Sequence, residues 1–319
     1  MTIRRTVVAL AALASPFTAA LSAQTTNDPF PDPIGEDWAP LVVDYTEFAR
    51  IPGVGGAQPR MMNIVDEPGT RRIFVSDMVG PISSVSYDGR TVTQYVDTND
   101  ARWGYRVQSQ GSERGLQSFA FHPQFGQQGA PGYGKFYTWG DIVDTAPTAD
   151  FTPLGGGDSH DTVLLEWTAR NAAAATYDGG PPRELMRLQQ PYGNHNAGHL
   201  AFNPTAAAGS PDFGMLYVGV ADGGSGGDPH NMSQNLGSIF GKIVRIDPLG
   251  RNGRNGKYGI PADNPFISRS GALAEIYAYG ARNPQKLAWD PNNGNLFMSD
   301  IGQNTVEELT LVPRGANLG

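Results

Sequence analysis

An all-β fold of the propeller class, with about four blades present, is what this sequence predicts. Three observations predict it. Gly (41 of 319 residues) and Pro (25) are abundant without any collagen-like period, which suits short strands joined by tight turns. One strand–turn–strand pattern recurs four times at uneven spacing. No amphipathic helix of normal length stands out, and the Ala-rich run 172–175 is followed by Tyr-Asp-Gly-Gly and reads as loop.

In chain order, the first residues are read as an export signal. Arg4 and Arg5 form a positive start, residues 7–14 an apolar core, and 20–23 a small-residue cleavage region. Residues 1–23 are therefore expected to be a signal peptide, directing the chain to the periplasm or the extracellular space. The apolar run is too short to span a bilayer. Residues 24–40, rich in Pro and Asp, read as an extended lead-in, and 41–319 as the propeller domain.

Within that domain each copy is an apolar strand ending at Asp, Asn or His, usually before Pro or Gly, then a turn and a second strand. The copies are 62–66 (MNIVD) with 72–75, 119–123 (FAFHP) with 135–138, 200–204 (LAFNP) with 215–218, and 287–291 (LAWDP) with 295–298. Further strands are expected at 82–87, 162–167, 243–246 and 308–312, with 214–220 and 241–247 flanking a Gly-Asp-Asn loop. A single twisted antiparallel sheet cannot bury both faces alone, so neighbouring sheets must stack about an axis. The stretches 145–161, 221–238 and 250–270 then become loops on one face. A hydrophobic content of 39% suffices for the core, and with no cysteine the fold can draw on no disulfide. A net charge of −8 argues against a nucleic-acid partner, which would need clustered Lys and Arg.

Two regions could carry chemistry, and they read as two walls of one pocket. His195, in the loop Gly193-Asn194-His195-Asn196 before a strand, is a candidate base, because imidazole alone among side chains ordinarily titrates near neutrality. Read alone it could equally be a turn residue. His199 reads as packing, His122 as a turn residue, and His160 and His230 are unassigned. Arg282, followed by Asn283 and Gln285, suits a planar, carboxylate-rich ligand, or else ties a loop to its neighbour. Asp300, Glu307 and Glu308 around Gly302-Gln303, or Asp222 with Asp228, could supply oxygen ligands to calcium, or could be turns. A Walker loop, a cysteine zinc site, His-Glu-x-x-His and Gly-x-Ser-x-Gly are all missing.

Taken together, the motifs resemble the glucose/sorbosone dehydrogenase family from about Met62 onward. The run Glu113 to Pro123 (ERGLQSFAFHP) is similar to its first signature. NHNAGHL at 194–200, GKIVRI at 241–246, PADNP at 261–265, GARNPQ at 280–285 and the stretch 300–309 follow in the family's order. The resemblance implies a secreted six-bladed propeller that binds pyrroloquinoline quinone (PQQ) with Ca2+ and oxidises aldose sugars at C1 to lactones, passing electrons to an external acceptor. It implies that His195 is the general base and that Arg282 stabilises the reduced cofactor. Glu113, Asn283 and Gln285, with Arg282, become cofactor contacts and Asp222 a substrate contact. The backbone carbonyls of Gly302 and Gln303 become calcium ligands, with Asp300, Glu307 and Glu308 nearby.

Gly280-Ala281-Arg282-Asn283 and Gly302-Gln303 depart from the commoner family forms Gly-His-Arg-Asn and Gly-Pro. They resemble more closely the branch that includes hedgehog-interacting-protein-like propellers. The alternative expectation is therefore a non-catalytic extracellular calcium-binding propeller for protein or carbohydrate. Family members continue for about two more blades past the Gly319 position. The chain by itself is thus expected to be an incomplete ring, inactive unless completed.

Overall fold

The computed structural model describes residues 42–143, 148–157, 159–196 and 198–319. The expected signal peptide and lead-in lie outside the described residues. Four antiparallel meanders follow one another along the chain. The first comprises β1 (Met61–Glu67), β2 (Arg72–Asp77), β3 (Pro81–Ser86) and β4 (Val92–Asp97). The second comprises β5 (Leu116–Phe121), β6 (Lys135–Ile142), β7 (His160–Thr168) and β8 (Arg183–Gln190). The third comprises β9 (Leu200–Phe202), β10 (Leu216–Val220), β11 (Lys242–Ile246) and β12 (Ile276–Tyr279). The fourth has three strands, β13 (Pro284–Trp289), β14 (Leu296–Asp300) and β15 (Glu308–Leu311). These are four blades of a β-propeller. The run 172–175 is indeed loop. Gly214 and Gly241, expected inside strands, instead take positive φ (77° and 69°) in the turns that launch β10 and β11.

The first strand of each blade lies innermost. Asn63 on β1 donates from Nδ2 to Ser118 Oγ (3.3 Å) on β5, and Leu200 N on β9 donates to the same oxygen (2.9 Å). Leu287 N on β13 donates to His199 Nδ1 (3.1 Å), and Lys286 Nζ reaches Met62 O (3.0 Å). These bonds gather the four inner strands around a cavity of about 790 Å³. Burial pushes the His199 imidazole down to about 3, and the Lys286 charge adds to the effect. A neutral ring is what its two bonds require, since Nδ1 accepts and Nε2 faces Asn63 Oδ1 at 3.3 Å. His199 is thus a packing and hydrogen-bonding residue of the inner wall.

Three hydrophobic clusters fill the spaces between successive blades. Phe74, Phe119, Phe136 and Trp167 join the first and second. Tyr137, Leu164, Val218 and Phe240 join the second and third. Ile243, Leu287 and Met298 join the third and fourth. Phe136 stacks on Trp167 with planes 10° apart. Each such ring contributes roughly 1.5–3 kcal/mol by leaving water. Strands β10 and β11 are buried at every residue because a blade covers each face, whereas β1 and β13 mix buried and exposed positions.

Candidate functional site

The His195 loop enters β9 in a conformation that few side chains adopt, with His195 itself at φ 49°. Several bonds hold it there. His195 N donates to Glu113 Oε2 (2.9 Å), and His195 O accepts from Gly223 N (3.2 Å). Asn196 Nδ2 donates to Tyr192 O (2.7 Å) and Asn194 O (3.0 Å). Gly224, at φ 100°, packs so closely that an added Cβ would lie 2.3 Å from Asn194 O. The 222–228 loop therefore needs glycine at this point to close over the histidine loop.

His195 is 6% exposed, and its Nδ1 lies 2.8 Å from Asp222 Oδ1. A carboxylate can only accept, so Nδ1 carries the proton and Nε2 the lone pair. No hydrogen bond engages Nε2 among the described residues. Asp222 is buried behind the ring, and its Oδ1 also accepts from Gly224 N (2.8 Å). The sequence led us to expect Asp222 as a substrate contact; the structure hydrogen-bonds it to the histidine ring, an arrangement able to fix tautomer and orientation.

Blade 2 supports this loop from beneath through a network whose Asp141, Gln117, Thr162 and Gln190 are buried. Asp141 Oδ1 accepts from Thr162 Oγ1 (2.5 Å) and Oδ2 from Gly115 N (3.1 Å) and Gln117 Nε2 (3.3 Å). Gln117 Nε2 also donates to the carbonyl of Glu113, whose side chain holds His195 N. On the other side Gln190 Nε2 joins Thr162 Oγ1 (2.8 Å) to Asn196 O (2.8 Å). Buried His160 completes the group with Nε2 3.4 Å from Asp141 Oδ1. Sequence reasoning missed Asp141, Gln117, Thr162 and Gln190. A signal was available: an Asp stands within two residues of the end of the second strand in every blade, at 77, 141, 222 and 300.

Arg282 forms the adjoining wall. Its carbonyl accepts from Asp222 N (2.8 Å), and Gly227 N donates to Gln303 Oε1 (3.0 Å), so the two regions singled out in the sequence do meet. Arg282 Nη1 donates to Ile301 O (2.6 Å) and Gly302 O (3.1 Å), while Nε is buried without a partner. Gln285 Nε2 bonds Asn283 Oδ1 (2.9 Å). Glu113 and Arg282 thus lie beside the His195–Asp222 pair, with Asn283 and Gln285 one step along the inner strand.

The expected calcium ligands do not gather into a cage. Both carboxylate oxygens of Asp300 are taken by backbone donors, Oδ2 by Arg282 N (2.8 Å) and Oδ1 by Asn283 N (2.5 Å). Burial raises the Asp300 carboxyl above the usual carboxylate range, against the pull of those two amides. The Gly302 carbonyl is occupied by Arg282, Glu307 Oε2 accepts from Gly302 N (3.0 Å), and Glu308 is an exposed strand residue opposite Asp300. Among the described residues no three His, Cys, Asp or Glu side chains converge as metal ligands. The fit to PQQ is better: a fixed guanidinium with an unbonded Nε beside an oriented imidazole suits an anionic planar ligand.

A propeller with an oriented His–Asp pair and a fixed arginine at the mouth of its inner strands is the class that fold and site define. The chain belongs to the glucose/sorbosone dehydrogenase family, whose model matches residues 57–319. It is 33% identical over 236 residues to the HIPL1 protein of Arabidopsis thaliana, covering 65% of this chain and 33% of that protein. It is 35% identical over 137 residues to the aldose sugar dehydrogenase YliI of Escherichia coli, covering 43% of this chain and 31% of that protein. The PQQ-bound aldose sugar dehydrogenase of Streptomyces coelicolor superposes with a TM-score of 0.58 at 25% identity, covering 85% of this chain and 65% of that one. The chain thus spans about a third of the length of these curated relatives.

Proposed function

We propose that this chain carries the base-bearing face of an exported, PQQ-dependent aldose dehydrogenase. The His195–Asp222 pair, 2.8 Å apart with Nε2 left unbonded, is the observation that carries the reading. His195 Nε2 takes the proton of the sugar's anomeric hydroxyl, and Asp222 offsets the charge that the ring acquires. As the anomeric oxygen loses its proton, C1 releases a hydride and the exocyclic C1–O bond becomes the lactone carbonyl, the ring oxygen remaining as the ester oxygen. PQQ, when bound, supplies the two-electron acceptor for that hydride. Arg282, anchored on the carbonyls of Ile301 and Gly302, presents a fixed positive charge to an anionic cofactor. Glu113 holds the His195 backbone, so its role in this reading is positioning. An external acceptor then takes the electrons onward, outside the cytoplasm. Among the described residues no helix is long and apolar enough to cross a membrane.

The test is to extend the chain to the length of its curated relatives, titrate it with PQQ, follow quinone absorbance, and measure dye reduction with aldoses. Saturable binding, with turnover lost in His195→Ala, supports the reading; dye reduction unchanged by that substitution sinks it. A second reading is a non-catalytic calcium-binding propeller. The identity to the HIPL1 protein and the Gly302-Gln303 form of the loop favour it. It predicts no PQQ binding and no dye reduction, so the same titration separates the two.

A further inference from the structure

Arg114 stands beside the His195 loop with no counter-charge among the described residues. Its guanidinium lies between two glycines: a Cβ built on Gly193 would sit 3.5 Å from Cζ, and one built on Gly111 would sit 3.5 Å from Nη2. Because neither glycine projects a side chain, the guanidinium packs against backbone on both sides. Arg114 Nε is buried without a partner, and the guanidinium makes no hydrogen bond or salt bridge among the described residues. The neighbouring Glu113 is engaged with His195 N at 2.9 Å instead.

Two other enclosed arginines are paired with carboxylates, while Arg60, Arg72 and Arg282 donate to backbone carbonyls. Arg187 reaches Asp161 at 2.6 Å and Glu184 at 2.7 Å, and Arg245 reaches Asp212 at 3.0 Å and Asp263 at 2.8 Å. The loop carrying Arg114 is also braced. Arg60 donates from Nη1 to Gly111 O (2.9 Å) and from Nη2 to Arg114 O (3.2 Å). A partly enclosed cation with unmet donors carries a desolvation cost that a bound anion would relieve. The group that matches a planar fork of N–H donors is a carboxylate. Gly193 is two residues before His195, so an anion on Arg114 belongs to a ligand lying against that ring.

We propose that Arg114 holds a carboxylate of the ligand bound over His195, as a second cationic anchor beside Arg282. That carboxylate comes either from the tricarboxylate cofactor or from an acidic sugar. The inference rests on the proposed function only for placing a ligand over His195.

Calorimetric titration of the full chain, Arg114→Gln and Arg114→Lys with PQQ, D-glucuronate and uncharged D-glucose tests it. For at least one carboxylate probe, Arg114→Gln weakens Kd by about tenfold to a hundredfold, the loss of one charge-assisted pair. Arg114→Lys recovers part of that loss by keeping the charge without the fork, and D-glucose binding is unmoved. Melting temperatures stay level, since the side chain has no partner to lose among the described residues. Arg90→Gln, at an exposed site with a single loose ion pair, serves as control and leaves every Kd unchanged. If glucuronate binds and is lost in Arg114→Gln while PQQ never binds, the inference stands and the cofactor reading falls. Equal affinities in native chain and Arg114→Gln, or no binding of either carboxylate to the native chain, would overturn it.

Discussion

Asp222 in the third blade and Asp300 in the fourth close the second strands of adjacent blades, yet they do different work. Asp300 grips backbone, through Arg282 N and Asn283 N. Asp222 grips a side chain, the His195 ring, at 2.8 Å. The blade-1 counterpart behaves like Asp300: Asp77 Oδ1 accepts from Arg60 N and Val79 N, each at 3.2 Å. Asp141 likewise accepts from Gly115 N in blade 2. The repeated carboxylate is a brace for the segment that enters each inner strand. The third blade departs because its entering segment carries His195 in a left-handed turn that swings the imidazole to where an amide would otherwise lie. One structural position has thus become an orienting group without a change of residue type.

Substitutions that break the comparison should separate the two aspartates, and the largest effect belongs to the ring they do not share. His195→Asn, chosen because asparagine tolerates positive φ, should lower dye-linked aldose oxidation by about a thousandfold with an unaltered melting temperature. Asp222→Asn should cut kcat by about a hundredfold or more, since an amide no longer enforces the Nδ1–H tautomer. KM should stay near its native value. An equal rise in KM would mean that Asp222 touches the sugar after all.

Asp300→Asn should do the reverse. It replaces an oxygen that accepts a backbone N–H, so stability should fall by about 1–3 kcal/mol in denaturant unfolding. Turnover per folded molecule should fall less than in Asp222→Asn. If instead Asp300→Asn abolished calcium binding with stability intact, the brace reading of that residue would be wrong. A loss of similar size, about 1–3 kcal/mol, is expected from Gly224→Ala, which forces a Cβ against Asn194 O in a left-handed turn. The accompanying loss of activity should be larger than that of a glycine change in an outer turn.

The most gradual effect concerns pH. Burial, with the Lys135 charge adding to it, pushes the His122 imidazole down to about 4. Its Nδ1 accepts from Gln124 N at 3.1 Å and cannot do so once protonated. The folded value is depressed, so the unfolded chain binds the proton more readily. Stability is full above about pH 6.5 and falls as pH drops from there towards 4, by up to about 1.4 kcal/mol per unit. Urea midpoints measured across that window should flatten in His122→Asn; an unchanged slope would assign the acid sensitivity to other groups.

The sequence by itself determined the blade pattern, because period-two strands, Gly and Pro turns and the recurring inner-strand motif are local and repeat. It also marked His195, Glu113 and Arg282, whose surrounding letters are distinctive. What it could not decide was which atoms meet. Asp300 and Asp222 look equally like cation ligands in one dimension. Asp141 and Gln117 look like ordinary strand residues, and Arg114 is only one letter of a signature. Their roles come from hydrogen bonds between residues 18 to 82 positions apart, such as Arg282 with Asp300 and Glu113 with His195. Those bonds exist only once hydrophobic stacking of the blades has brought the inner-strand entrances together. Apolar burial is additive and nearly blind to direction, so composition and period reveal it. A hydrogen bond is fixed by a few tenths of an ångström and by angle, and only the assembled fold supplies that.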